Sequence, residues 1–128
     1  MKTWLRAGSL IVLSLLLISN LNAQTMYFCE GVDDDGYPIT EASSFTIPDD
    51  GGYLYALIRL PYEIGCKSVR FEIYRNGDYD NTIYLDTEYD WTWFWKQINF
   101  YKRGTYEFYV YDCDDYELTR GEVRIDYD

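Results

Sequence analysis

The stretch DWTWFWKQINF, residues 90–100, places indoles at Trp91, Trp93 and Trp95 and primary amides at Gln97 and Asn99. In an extended strand these five positions share one face, because successive side chains alternate. Same-face neighbours then lie about 6.5–7 Å apart, a spacing that suits successive sugar rings stacking on aromatic faces. Amides beyond the indoles would hydrogen-bond hydroxyl groups, so the chemistry expected of an exposed row is recognition of a neutral glycan. A second register stays open at this point. Large aromatics fill small cores well, and a bulge between Trp95 and Ile98 would turn the indoles inward. Lys96 makes that register worth weighing, since it falls on the face opposite the tryptophans, beside Phe94, Ile98 and Phe100.

Oxygen ligands form a second group. Acidic side chains cluster at Asp33, Asp34 and Asp35, at Asp86, Glu88 and Asp90, and at Asp112, Asp114 and Asp115. Calcium takes six to eight oxygens, often at weak extracellular sites, and no other cofactor is required by these residue types. The spacings do not match an EF-hand loop. Acidic residues also form turns and sit solvated in them, which is the plainer explanation.

Three cysteines, Cys29, Cys66 and Cys113, allow one bridge and leave one thiol. The chain has no histidine at all. That removes the commonest general base, the Ser–His and Cys–His nucleophile arrangements and His-ligated zinc. No glycine-rich phosphate loop is present, so catalysis is not expected.

These residues need a scaffold, and the chain supplies it after a leader. Residues 1–23 combine Lys2 and Arg6, an apolar run too short to span a bilayer, and Ala23 at the expected cut. This pattern is a secretory signal peptide, so residues 24–128 are expected to be an exported single domain, secreted, periplasmic or at the cell surface. Losing Lys2 and Arg6 leaves nine cations against 22 acidic residues, a net charge of −13. Such a surface repels nucleic acid and anionic membranes and leaves neutral glycans, cations or other proteins as partners. No later stretch is apolar enough to span a membrane.

Tyrosine-rich alternating runs separated by turn residues read as an all-β sandwich of about seven strands. The runs are 44–48, 53–60, 68–75, 82–86, 92–100, 105–112 and 118–127, with no helix. Residues 25–43 contain Gly31, Gly36 and Pro38 and carry no clear period. NGDYDN, residues 76–81, reads as a turn.

The segment KRGTYEFYVYDCDDYELTRGEVRI resembles the end of an immunoglobulin-like sandwich domain of bacterial secreted and surface proteins. Gly104, Tyr106, Phe108, Val110 and Asp112 follow that pattern, and Tyr106 is similar to the residue of a tyrosine corner. Phe108 stands where antibody domains carry a core cysteine, so their inter-sheet bridge is missing. The resemblance implies the fold and no particular activity. It further implies that four segments meet at one end: the one before residue 44, then 61–67, 87–91 and 113–117. Asp33, Asp35, Asp86, Asp90, Asp112 and Asp114 would thereby approach one another as a calcium site. Cys66 and Cys113 would also lie side by side there, with Cys29–Cys113 as the rival pairing. The function expected is a non-catalytic binding module with its ligand on Trp91, Trp93, Trp95, Gln97 and Asn99. The alternative is a structural or protein-interaction domain with no small ligand.

Overall fold

A computed structural model describes residues 25–128, and the leader expected at 1–23 lies outside the described residues. Nine strands follow in chain order. They are β1 (Met26–Val32), β2 (Pro38–Glu41), β3 (Ser44–Ile47), β4 (Gly52–Arg59) and β5 (Ser68–Arg75), then β6 (Asp78–Asp86), β7 (Trp93–Phe100), β8 (Gly104–Tyr111) and β9 (Glu117–Tyr127). They form two sheets of a sandwich, β2-β1-β4-β7 and β3-β9-β8-β5-β6. All pairings are antiparallel except β3, which runs parallel to β9 from Ser44↔Arg124 to Ile47↔Tyr127. No described helix is long and apolar enough to cross a membrane.

The core lies between the sheets and is built from alternate residues of each strand. Leu54, Ala56 and Ile58 of β4 and Phe94, Ile98 and Phe100 of β7 meet Phe71, Phe108, Val123 and Ile125 from the other sheet. Aromatic edges join the layers: Phe28 to Phe108 at 4.9 Å between ring centroids, and Phe100 to Tyr106 at 4.8 Å. Gly121 faces this core from β9. A Cβ there would lie 3.1 Å from the Met26 sulfur and 3.2 Å from Phe28, so the missing side chain is the space that lets β1 close onto β9. The Tyr106 hydroxyl donates to the Lys102 carbonyl at 2.6 Å and ties the β7–β8 connection to the core.

Two boundaries differ from the sequence expectation. The β5–β6 turn needs only Asn76 and Gly77, both left-handed at φ 51° and 88°, so β6 already starts at Asp78. This is the two-residue hairpin turn that Asn-Gly favours. The larger difference is the hairpin of β1 and β2, which the Gly- and Pro-containing stretch 25–43 concealed. Met26 and Phe28 enter the core, but Cys29 and Leu57 are completely buried outside that cluster, on the opposite face of the same sheet. What buries them is the hairpin itself, whose tip folds back over that outer face. Gly36 sits so close to Trp93 that a Cβ would come within 2.3 Å of the indole. Arg59 stacks on the Tyr37 ring at 4.0 Å and donates to the Gly36 carbonyl.

Candidate functional site

Strand β7 lies at the end of its sheet and pairs only with β4. The register runs without a shift from Gly52↔Phe100 to Arg59↔Trp93, so no bulge reverses it. Phe94, Ile98 and Phe100 are buried, and Trp95, Gln97 and Asn99 are exposed on the outer face. The three indoles are nevertheless not equivalent. Trp95 is 45% exposed on the strand. Trp91 is 39% exposed but precedes the strand, in a turn closed by its own amide to the Glu88 carbonyl. Trp93 is half-buried beneath Gly36 of the folded-back hairpin.

The aromatic row instead continues sideways onto β4. Tyr55 meets Trp95 at 5.1 Å between centroids with planes at 88°, and Tyr53 meets Tyr55 at 5.9 Å and 79°. Edge-to-face contacts make this a corrugated ridge and not a flat platform. The amides run beside it, since Gln97 is paired with Tyr55 and Asn99 with Tyr53 across the strands. Gln97 Nε2 donates to Asn99 Oδ1 at 3.3 Å, which orients both amides. Tyr53, Tyr55, Trp95, Gln97 and Asn99 form a stretch with no charged side chain, on a chain of net charge −11. Alternation within 53–60 turns Tyr53 and Tyr55 away from the core, opposite Leu54, Ala56 and Ile58. What the sequence did not reveal was which strand they would flank.

A groove of about 720 Å³ opens on the other side of β7, lined by Leu85 of β6 and by residues 90–97. It lies between the two sheet edges, because β7 ends one sheet and β6 ends the other. Lys96 lines it, which explains how a lysine is accommodated at inward parity. At the margin of the sheet its stem covers apolar surface while its ammonium keeps access to water.

The turns converge at one end of the sandwich. Ile64 and Gly65 donate to the Trp91 and Tyr89 carbonyls, and Thr87 donates to the Lys67 carbonyl. Cys66 and Cys113 are bridged there, with Cα atoms 5.8 Å apart. Cys29 is the free thiol, buried.

The carboxylates do not follow the turns. Among the described residues, the only potential ligand atoms of three residues lying within 4.8 Å of one another belong to Cys66, Cys113 and Asp114, and the two sulfurs are already joined. Asp86 ends β6, and Asp90 lines the groove. Asp33 and Asp112 work inside their own turns. Asp33 Oδ1 accepts from the amides of Asp35 and Tyr37, both at 2.9 Å. Asp112 Oδ1 accepts from Asp114 and Tyr116 at 2.8 and 3.0 Å. These two turns are copies of one device. The sequences DDDGYPIT and DCDDYELT align position by position, and the fourth residue is left-handed in both, Gly36 in one and Asp115 in the other.

No protein-family model matches this chain, and a search of curated proteins finds no match.

Proposed function

We propose that this protein is an exported, non-catalytic binding module that takes a neutral glycan on the ridge formed by Trp95, Tyr55 and Tyr53. The observation that carries the reading is an uncharged aromatic ridge, with Tyr53 56% and Trp95 45% exposed, flanked by two amides on an acidic protein. Exposed aromatics of this size are costly in water unless something covers them. Trp93 supports the ridge from beneath the hairpin, and Trp91 belongs to the neighbouring groove. The disulfide is in keeping with export.

The fold is read more finely as immunoglobulin-like. The pairing of β4 with β7, the adjacent strands β9, β8 and β5 in the other sheet, and the Tyr106 hydrogen bond to Lys102 support that.

The test is titration with a linear neutral oligosaccharide, cellohexaose, followed by tryptophan fluorescence and calorimetry. Saturable binding is expected. Trp95→Ala and Tyr55→Ala should abolish it. Trp95→Ala should melt within a few degrees of the parent, since exposed side chains contribute little to folding, and Tyr55→Ala, at a half-buried position, somewhat lower but still folded. Unchanged binding in both variants would remove the ridge as the site.

A second reading, an interaction domain without a small ligand, is favoured by the outer face of the other sheet. Tyr84 and Tyr79 are 68% and 61% exposed there, beside Arg70 stacked on Tyr111 and Arg120 stacked on Tyr109. Tyrosine and arginine are enriched at protein interfaces.

A further inference from the structure

Four cationic side chains of the described residues are half-buried: Arg59, Arg70, Arg75 and Lys96. Three of them are satisfied. Arg59 donates to the carbonyls of Asp35 and Gly36. Arg70 pairs with Glu72 at 2.9 Å and Asp115 at 2.5 Å, and Arg75 donates to the Arg103 carbonyl at 2.9 Å. Lys96 alone has neither a hydrogen bond nor an ion pair among the described residues. It lines the groove between β7 and β6 together with Leu85, Trp91, Phe94 and Trp95. An ammonium at the margin of an apolar groove with no anion of its own leaves its donors free for an anion that enters the groove.

We propose that this groove is a binding site for a small apolar carboxylate, with the carboxylate on Lys96 Nζ and the apolar body against Leu85 and Trp91. A volume of about 720 Å³ falls within the usual range for small-molecule sites. The charge pattern selects the ligand class. Asp90 shares the groove and the whole chain is strongly acidic, so multiply charged anions are repelled. A single negative charge on an apolar body satisfies Lys96, and burial of the body supplies the driving force. An added peptide strand fits less well, because an inward-pointing lysine on an edge strand is a device that opposes strand pairing. This site goes beyond the glycan ridge: it shares Trp95 and Gln97 with the ridge but opens on the free edge of β7, away from Tyr53 and Tyr55.

The experiment is a titration of the purified protein with decanoate below its micelle concentration, followed by tryptophan fluorescence, with decanol as the uncharged control. Saturable one-to-one binding of decanoate is expected, at least tenfold tighter than decanol. Lys96→Gln should remove that preference, and Lys96→Arg should restore it. Tyr55→Ala, which disables the glycan ridge, should leave decanoate binding unchanged. Absence of saturable decanoate binding, or equal binding of decanoate by the parent and Lys96→Gln, overturns the proposal. Self-association of Lys96→Gln with decanoate affinity unaltered would overturn it too, and would leave Lys96 as a guard of the sheet edge.

Discussion

Cys29 and Tyr106 both hold their protons more tightly than usual. Burial pushes the Cys29 thiol up, with Glu41 adding to the effect against backbone hydrogen bonds from Ile39 and Gly31. Burial likewise raises Tyr106, whose hydroxyl is spent on the Lys102 carbonyl. In the unfolded chain a cysteine ionises near pH 8.5 and a tyrosine near pH 10. The unfolded state therefore releases these protons first as pH rises. The stability they contribute is fully present below about pH 8.5 and is lost progressively above it, through the raised folded-state values. Melting temperature should accordingly fall between pH 8.5 and 11. Cys29→Ala should flatten the first part of the fall and Tyr106→Phe the second. An alkaline fall that keeps its shape in both variants would assign it to other groups. The outward row of Trp95, Gln97 and Asn99 was legible at this scale from parity alone, because Phe94, Ile98 and Phe100 claim the core side of β7. The inequality among the tryptophans was not, because Trp93 is covered by Gly36, a residue 57 positions away in the chain.

The elements divide into those that repeat with period two and those that do not. Residues 53–60, 68–75 and 105–112 alternate cleanly and appear as β4, β5 and β8. Residues 25–43 form β1, β2 and their turn, a hairpin that folds over its own sheet. No local period announces such a reversal, since Cys29 and Leu57 become buried on a face that an isolated strand would leave wet. The twin turns let its geometry be tested. Asp115 stands in the left-handed conformation at φ 67°, where a side chain is tolerated, and its exposed carboxylate meets the half-buried Arg70 guanidinium. Replacing it by glycine trades relief of backbone strain against a weak ion pair, so Asp115→Gly should melt within a few degrees of the parent. Gly36→Ala meets the same left-handed backbone, at φ 82°, and also collides with Trp93. It should cost at least about 2 kcal/mol. Equal melting temperatures for the two variants would mean that the hairpin tip does not rest on Trp93.

At the scale of the molecule, the two-sheet sandwich brings turns together at one end and bridges Cys66 to Cys113 across a separation of 47 residues. Closing a loop of that size is worth about 3–4 kcal/mol through the unfolded chain. The double variant Cys66→Ala, Cys113→Ala should lose roughly that amount in urea unfolding at pH 7. A loss below about 1 kcal/mol would show that the hydrogen bonds among the turns already hold this end. The acidic residues mark the limit of reading a fold from sequence. Topology delivers turns to one end to within a few residues, whereas a cation site demands side-chain atoms placed to a fraction of an ångström. Asp33 and Asp112 each use Oδ1 to shape their own loops.

The free thiol beneath the hairpin gives the molecule a built-in gauge of partial opening. Cys29 is wholly covered, and the tip of the β1–β2 hairpin folds as a flap over the same face of the first sheet. A reagent that alkylates thiols can reach it by lifting that flap while the rest of the sandwich stays intact. The labelling rate under native conditions therefore measures how often the flap opens, and its ratio to the rate in denaturant measures the free energy of that motion. The same event uncovers the indole of Trp93, so access to this cysteine and the full extent of the aromatic surface rise and fall together.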